Sequence, residues 1–164
     1  VTASASPTER LAQLGLALPD PPPPLPAFKP FVRAGFTVYT SGQIATRDGQ
    51  LVASGRLGAE VDLHAGQEAA RTCALNVLAQ LSAAAGSLDG IAQLVKITVF
   101  VASAPGFTEQ SQVANGASEL FNDVLGDVGE HARSAIGVAA LPLGTPVEIE
   151  AVALLTEPAG TARP

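Results

Sequence analysis

Apolar residues recur at three- and four-residue spacing from about Leu63 to Ala85, at Ala69, Ala70, Cys73, Ala74, Val77, Leu78 and Leu81. One face of a 3.6-residue helix carries that spacing, so a helix is predicted here, with Gly86 as its terminator. Its apolar face is built mostly of small residues, which lets it lie close on a sheet. A second helix is predicted from about Thr108 to Leu125, with Val113, Ala117, Leu120, Phe121 and Val124 as its stripe. Between the two lies a β-branched run, residues 91–102. It is too continuous for a strand buried on one side only: Val95, Ile97, Val99 and Val101 share one face, and Lys96, Thr98 and Phe100 share the other.

The remaining segments read as short strands and turns. Residues 31–41 form two strands broken at Ala34-Gly35. A turn follows at Arg47-Asp48-Gly49, where the Asp-Gly step favours positive φ, and residues 50–54 are the return strand. Residues 134–141 and 147–155 are two further strands. The short LPLGTP turn between them predicts an antiparallel hairpin. Near the N-terminus Thr8 is the expected cap of a short helix carrying Leu11 and Leu14. The proline-rich stretch that follows cannot be helical and is expected to be extended.

Two helices laid on one face of a mixed sheet make an α+β, two-layer sandwich. The expected division is an N-terminal helix and proline-rich segment over residues 1–30, a folded domain over 31–156 and a tail over 157–164. The second sheet face is then left over. Phe36, Val38, Ile97 or Phe100, Ile136, Val138, Ile149 and Ala151 exceed what two helices can cover. Homo-oligomerisation is the expected solution.

Composition narrows the function classes. Of 164 residues 47% are hydrophobic and only 15% charged, and the net charge is −6. That balance argues against a nucleic-acid binder, which needs a basic surface to displace counterions. A single cysteine excludes an intramolecular disulfide framework, and with only two histidines no Cys/His zinc site is expected. No apolar run of 18 residues is present, and the first residues lack the pattern of a secretory leader. A cytoplasmic protein without membrane partner is therefore expected. Cys73 falls on the apolar helix face and reads as a small hydrophobe rather than a nucleophile.

In so uncharged a chain, the charges placed within strands stand out. Arg133 precedes an apolar strand and has no acidic neighbour within two positions. Glu148 and Glu150 share one face of the last strand with Val152 and Leu154, so they must be paired, hydrogen-bonded or exposed. In the expected hairpin Arg133 and Glu148 are not cross-strand neighbours. A site using both then needs another strand or another subunit. His131 is a candidate general base or an incidental surface histidine. Gly116, inside the second long helix, suggests a close backbone approach. Ser41-Gly42-Gln43 could present donors at a strand end, and no nucleotide-loop, serine-hydrolase or zinc-protease motif is present.

Together YTSGQIA, LVKITVFVAS and HARSAIGVAALPLGTPVEIEAVAL resemble the Rid family (RidA/YjgF), formerly called L-PSP endoribonucleases. The resemblance runs from about Phe31 to Leu155. It is similar in particular to a subgroup of longer chains. The resemblance implies a chorismate-mutase-like fold, a homotrimer with clefts between subunits, no cofactor and no metal. The implied reaction is hydrolysis of enamine and imine intermediates, turning 2-imino acids into 2-keto acids and ammonia. The family's carboxylate-gripping arginine falls on Arg133 and its conserved glutamate on Glu148. Phe31, Ser41, Asn115 and Ala135 fall on substrate-binding positions. Phe31 stands where the archetype has a tyrosine, and Ala135 where it has a cysteine. The other class open to the chain is a non-catalytic trimer that binds a carboxylate metabolite.

Overall fold

Helix α1 (Pro7–Gln13) is capped by Ser6, whose side chain accepts the N–H of Glu9 while the Glu9 side chain accepts the N–H of Ser6. This reciprocal box, with proline at the first helical position, moves the cap two residues before the expected Thr8. The Thr8 N–H instead donates to Asp89 at 2.9 Å, tying α1 to the main domain. The structure, a computed structural model, describes residues 5–20 and 27–156. The middle of the proline-rich stretch and the tail expected at 157–164 lie outside them.

The chain then forms β1 (Phe31–Ala34), β2 (Thr37–Thr40), β3 (Gln43–Ile44), β4 (Thr46–Arg47) and β5 (Gln50–Leu51). Asp48 and Gly49 both take positive φ, 53° and 77°, and close the β4–β5 hairpin as the Asp-Gly step predicts. The return strand is shorter than expected, because the chain turns away at Gly55 to hydrogen-bond Gly144 at 2.9 Å. Helix α2 (Leu63–Ala85) opens where the Asp62 carboxylate accepts the Ala65 N–H and stops at Gly86, φ 88°. Then follow β6 (Ile91–Ala102), α3 (Gln110–Leu125), β7 (Ala132–Val138) and β8 (Val147–Leu155).

The result is a mixed sheet in the order β1-β2-β8-β6-β7, with β3 added beside β8, under α2 and α3. The expected β7–β8 hairpin does not form. β7 pairs parallel to β6, and β8 lies antiparallel on the other side of β6. The cause is α3, which carries the chain back along β6 so that β7 runs in the same direction. The LPLGTP loop then spans the end of β6 instead of joining neighbours.

The core lies between α2, α3 and the sheet. Ala69, Ala70, Cys73, Ala74, Val77, Leu78 and Leu81 of α2 are all buried, against Ile97, Val99, Val101, Ile149 and Ala153. Val38, Ile97, Ile149 and Ala151, expected on the uncovered face, are buried in or beside this core. Val95 also differs from expectation. A register irregularity between Leu94 and Lys96 puts Leu94 in the core and leaves Val95 exposed.

The open sheet face is readable from the register. One row runs Val32, Tyr39, Val152, Lys96, Ala132 across five strands, and another runs Ile44, Glu148, Phe100, Ile136. Val32 is 53% exposed, Tyr39 50%, Ile136 45% and Leu154 39%. Large apolar side chains therefore stand uncovered on one side of the sheet within a single chain. No helix among the described residues is long and apolar enough to cross a membrane.

Cys73 is fully buried and its Sγ lies 3.3 Å from the Val147 carbonyl. Burial, and then the charge of Glu148, pushes its thiol well above the ordinary range. A raised thiol value means less thiolate at neutral pH. An aromatic disulfide reagent should therefore modify native Cys73 at least about a hundredfold more slowly than the unfolded chain. Comparable rates would contradict this burial.

Candidate functional site

Arg133 sits at the edge of the sheet, in the row Ala151, Ile97, Arg133 that faces the helices. It reaches onto α3, where Ser111, Asn115 and Ser118 lie at i, i+4 and i+7 and so share one helix face. Its Nη1 donates to Asn115 Oδ1 at 2.9 Å and to Ser118 Oγ at 3.1 Å, and its Nη2 donates to the Ser111 carbonyl at 3.2 Å. All three acceptors are neutral. A guanidinium has five N–H donors, so Nε–H and one Nη2–H have no acceptor among the described residues. No carboxylate pairs with Arg133 there either. The side chain is thus held in place by neutral groups while its charge is left uncompensated. That arrangement can take an anion, and a carboxylate fits two parallel N–H donors.

Glu148 lies elsewhere. It is on the open sheet face, between Ile44 and Phe100 in register, in a cleft of about 780 Å³. Gly42, Asn76, Pro142 and, from the N-terminal segment, Pro19 and Phe28 are among its walls. The Glu148 carboxylate rests so close over Gly42 that a Cβ there would overlap it. Burial first, and the nearby charge of Glu150 second, raise the Glu148 carboxyl above its ordinary value. Arg133 and Glu148 are therefore on opposite faces of the sheet, two strands apart, and do not meet within one chain.

The other expected positions divide between these two places. Asn115 holds Arg133 directly. Ala135 follows Arg133 on the same face and packs against the core. Ser41 spends its hydroxyl proton on the Lys29 carbonyl at 2.6 Å, and its N–H donates to Pro30. It therefore fastens the N-terminal segment beside the Glu148 cleft. Phe31 pairs with buried Thr40 and packs against the core, so its ring does not line the cleft; Phe28, 54% exposed, supplies the aromatic wall there. Ser118 escaped the sequence reading, although its helical spacing from Asn115 was visible. Gly116 does mark a close approach: a Cβ there would overlap the Gln67 carbonyl oxygen of α2. Among the described residues no three His, Cys, Asp or Glu side chains gather as a metal site.

Residues 19–155 match the family model described as Endoribonuclease L-PSP. The chain belongs to this family, the Rid (RidA/YjgF) family. It is 46% identical over 153 residues to Protein TCP17 of Trypanosoma cruzi, covering 93% of this chain and 96% of that one. The crystal structure of Atu1372 from Agrobacterium tumefaciens, a protein of unknown function, is 43% identical with a TM-score of 0.82, covering 89% of each chain. TdcF of E. coli, solved with bound serine, is 27% identical with a TM-score of 0.60, covering 83% of this chain and 94% of that one.

Proposed function

We propose that this Rid protein is an imine and enamine deaminase that hydrolyses 2-imino acids at clefts between subunits. The observation that carries the reading is the state of Arg133: among the described residues it is anchored by three neutral groups, without a counter-ion, and with two N–H donors left over. A relative solved with bound serine, itself a carboxylate of the same size class, supports it. The exposed apolar sheet face supports a homotrimer, in which Glu148 of the partner subunit meets the Arg133 edge.

In such a cleft Arg133 grips the substrate carboxylate and fixes the adjacent C=N carbon. Water adds to that carbon, giving a carbinolamine, and the C–N bond then breaks to release ammonia and the 2-keto acid. Glu148 takes the proton from the water and passes it to the leaving nitrogen. A carboxyl raised by burial suits both steps, because it accepts and returns a proton more readily than an exposed one. Much of the acceleration comes from holding water and C=N together. Among the described residues of one chain no basic side chain lines the Glu148 cleft, whereas Asp20, Asp48 and Glu148 do. That lining disfavours RNA and with it the nuclease sense of the family's older name.

The test generates 2-imino acids in situ with an amino-acid oxidase and traps the remainder with semicarbazide. Wild type should shorten imine lifetime and Arg133→Ala should not. Equal imine loss with wild type, Arg133→Ala and buffer overturns the reading.

A further inference from the structure

We propose that His131 is a positioning residue for the anion site, acting on Arg133 through the Ser118 hydroxyl. The inference rests on the carboxylate-binding reading of Arg133 for its consequence, but its geometry stands apart from that reading.

His131 Nδ1 lies 2.6 Å from the Gly129 carbonyl oxygen, and its Nε2 lies 3.0 Å from Ser118 Oγ. A carbonyl oxygen only accepts, so Nδ1 carries the ring proton. In the neutral ring Nε2 is then a bare acceptor. The Ser118 hydroxyl must donate to it, which turns the oxygen lone pairs toward α3's neighbour, Arg133. Ser118 Oγ accepts the Arg133 Nη1–H there at 3.1 Å. Each link of the chain Arg133, Ser118, His131, Gly129 thus joins one donor to one acceptor, and the direction is set at the Gly129 end. The ring is kept in plane by Phe121, edge to face, with centroids 5.7 Å apart at 79°.

This assignment removes His131 from the role of general base. Both ring nitrogens are engaged within the chain, Nδ1 by the Gly129 carbonyl and Nε2 by the Ser118 hydroxyl. The residue instead directs the one hydroxyl that Arg133 uses besides Asn115. Without the ring acceptor, the Ser118 hydroxyl proton is free to point at Arg133, and the anchor becomes a repulsion between two donors.

Three variants separate this role from a structural one. His131→Phe keeps an aromatic ring on Phe121 but no acceptor, His131→Gln keeps an acceptor for Ser118, and Ser118→Ala removes the relay. Pyruvate serves as probe, with 2-iminopropanoate made from alanine for kinetics. His131→Phe and Ser118→Ala should weaken pyruvate and raise KM about tenfold, with a smaller change in kcat, and His131→Gln should recover most of the loss. A ligand-free readout accompanies these. With two histidines in the chain, ring nitrogen spectra assign His131 directly, and its neutral form should carry the proton on Nδ1. The side-chain N–H signals of Arg133 should be sharp in wild type and lost in His131→Phe. An Nε2–H tautomer overturns the relay. So do unchanged Arg133 signals in His131→Phe, or unchanged pyruvate affinity where Arg133→Ala abolishes it. Failure of wild type itself to bind pyruvate counts against the carboxylate reading, and the spectra still decide the relay.

Discussion

Co-expressed Arg133→Ala and Glu148→Gln subunits, each inactive alone, should assemble into oligomers with about one quarter of wild-type imine hydrolysis. The loss in each parent is set by the interactions removed. On the proposed mechanism Arg133→Ala deletes two charge-assisted hydrogen bonds to the substrate carboxylate, each about 1.5–3 kcal/mol. Together they amount to about 3–6 kcal/mol, or about 10²–10⁴ in rate at subsaturating substrate. Glu148→Gln keeps shape but cannot carry the proton.

The recovery follows from where the two residues sit. They occupy opposite sheet faces of one chain, in the rows ending at Arg133 and at Ile136. On the proposed reading a working cleft takes its arginine from one subunit and its glutamate from another. In an even mixture each residue is intact with a chance of one half, so both are intact in about one site in four. That fraction does not depend on whether the ring has three members. A mixture no more active than its parents would mean that the two residues never share a cleft. The same outcome would leave the open sheet face without the role assigned to it.

Much of the fold was legible because its signals are local. Helix α2 and strands β6 and β8 occupy the spans that periodicity and β-branched runs predict, since each buries a face whose spacing is written in neighbouring residues. Strand pairing is a different matter. The loop at Leu141–Pro146 reads as a hairpin turn, yet which strand stands beside β7 is decided by the path of α3, a long-range matter that no short window contains. The same limit applies to the site. Arg133 and Glu148 were found through motifs, but the Ser118 and His131 contacts join residues 13 and 15 positions apart whose approach depends on how α3 lies over β7. Phe31 and Phe28 differ likewise: the alternation of β1 turns Phe31 inward, and only the fold of the preceding segment brings Phe28 to the cleft.

Gly116→Ala should lower the melting temperature, against the sign that helix propensity alone assigns. Replacing a helical glycine by alanine ordinarily gains about 1 kcal/mol. Here the added Cβ would overlap the Gln67 carbonyl oxygen and lie 2.8 Å from its carbon and 3.0 Å from its Cα. These are backbone atoms of α2 and cannot turn aside as a side chain does. The helices must separate, and the well-packed face of Val113, Ala117 and Leu120 opens with them. Overpacking of this kind costs about 1–3 kcal/mol and sometimes more. The net effect is a loss of up to about 2 kcal/mol, or a fall of up to roughly 4–8 °C in a domain of this size. Gly66→Ala is the control, since its Cβ would meet the Leu57 Cδ1 side-chain tip at 2.6 Å, which can rotate away at smaller cost. A melting temperature for Gly116→Ala at or above wild type would mean that α2 and α3 do not approach so closely. The same variant reaches the site, because α3 carries Ser111, Asn115 and Ser118, and a helix pushed off α2 loosens the anchors of Arg133. Carboxylate affinity should therefore fall in Gly116→Ala more than in Gly66→Ala, even below the temperature at which either begins to melt.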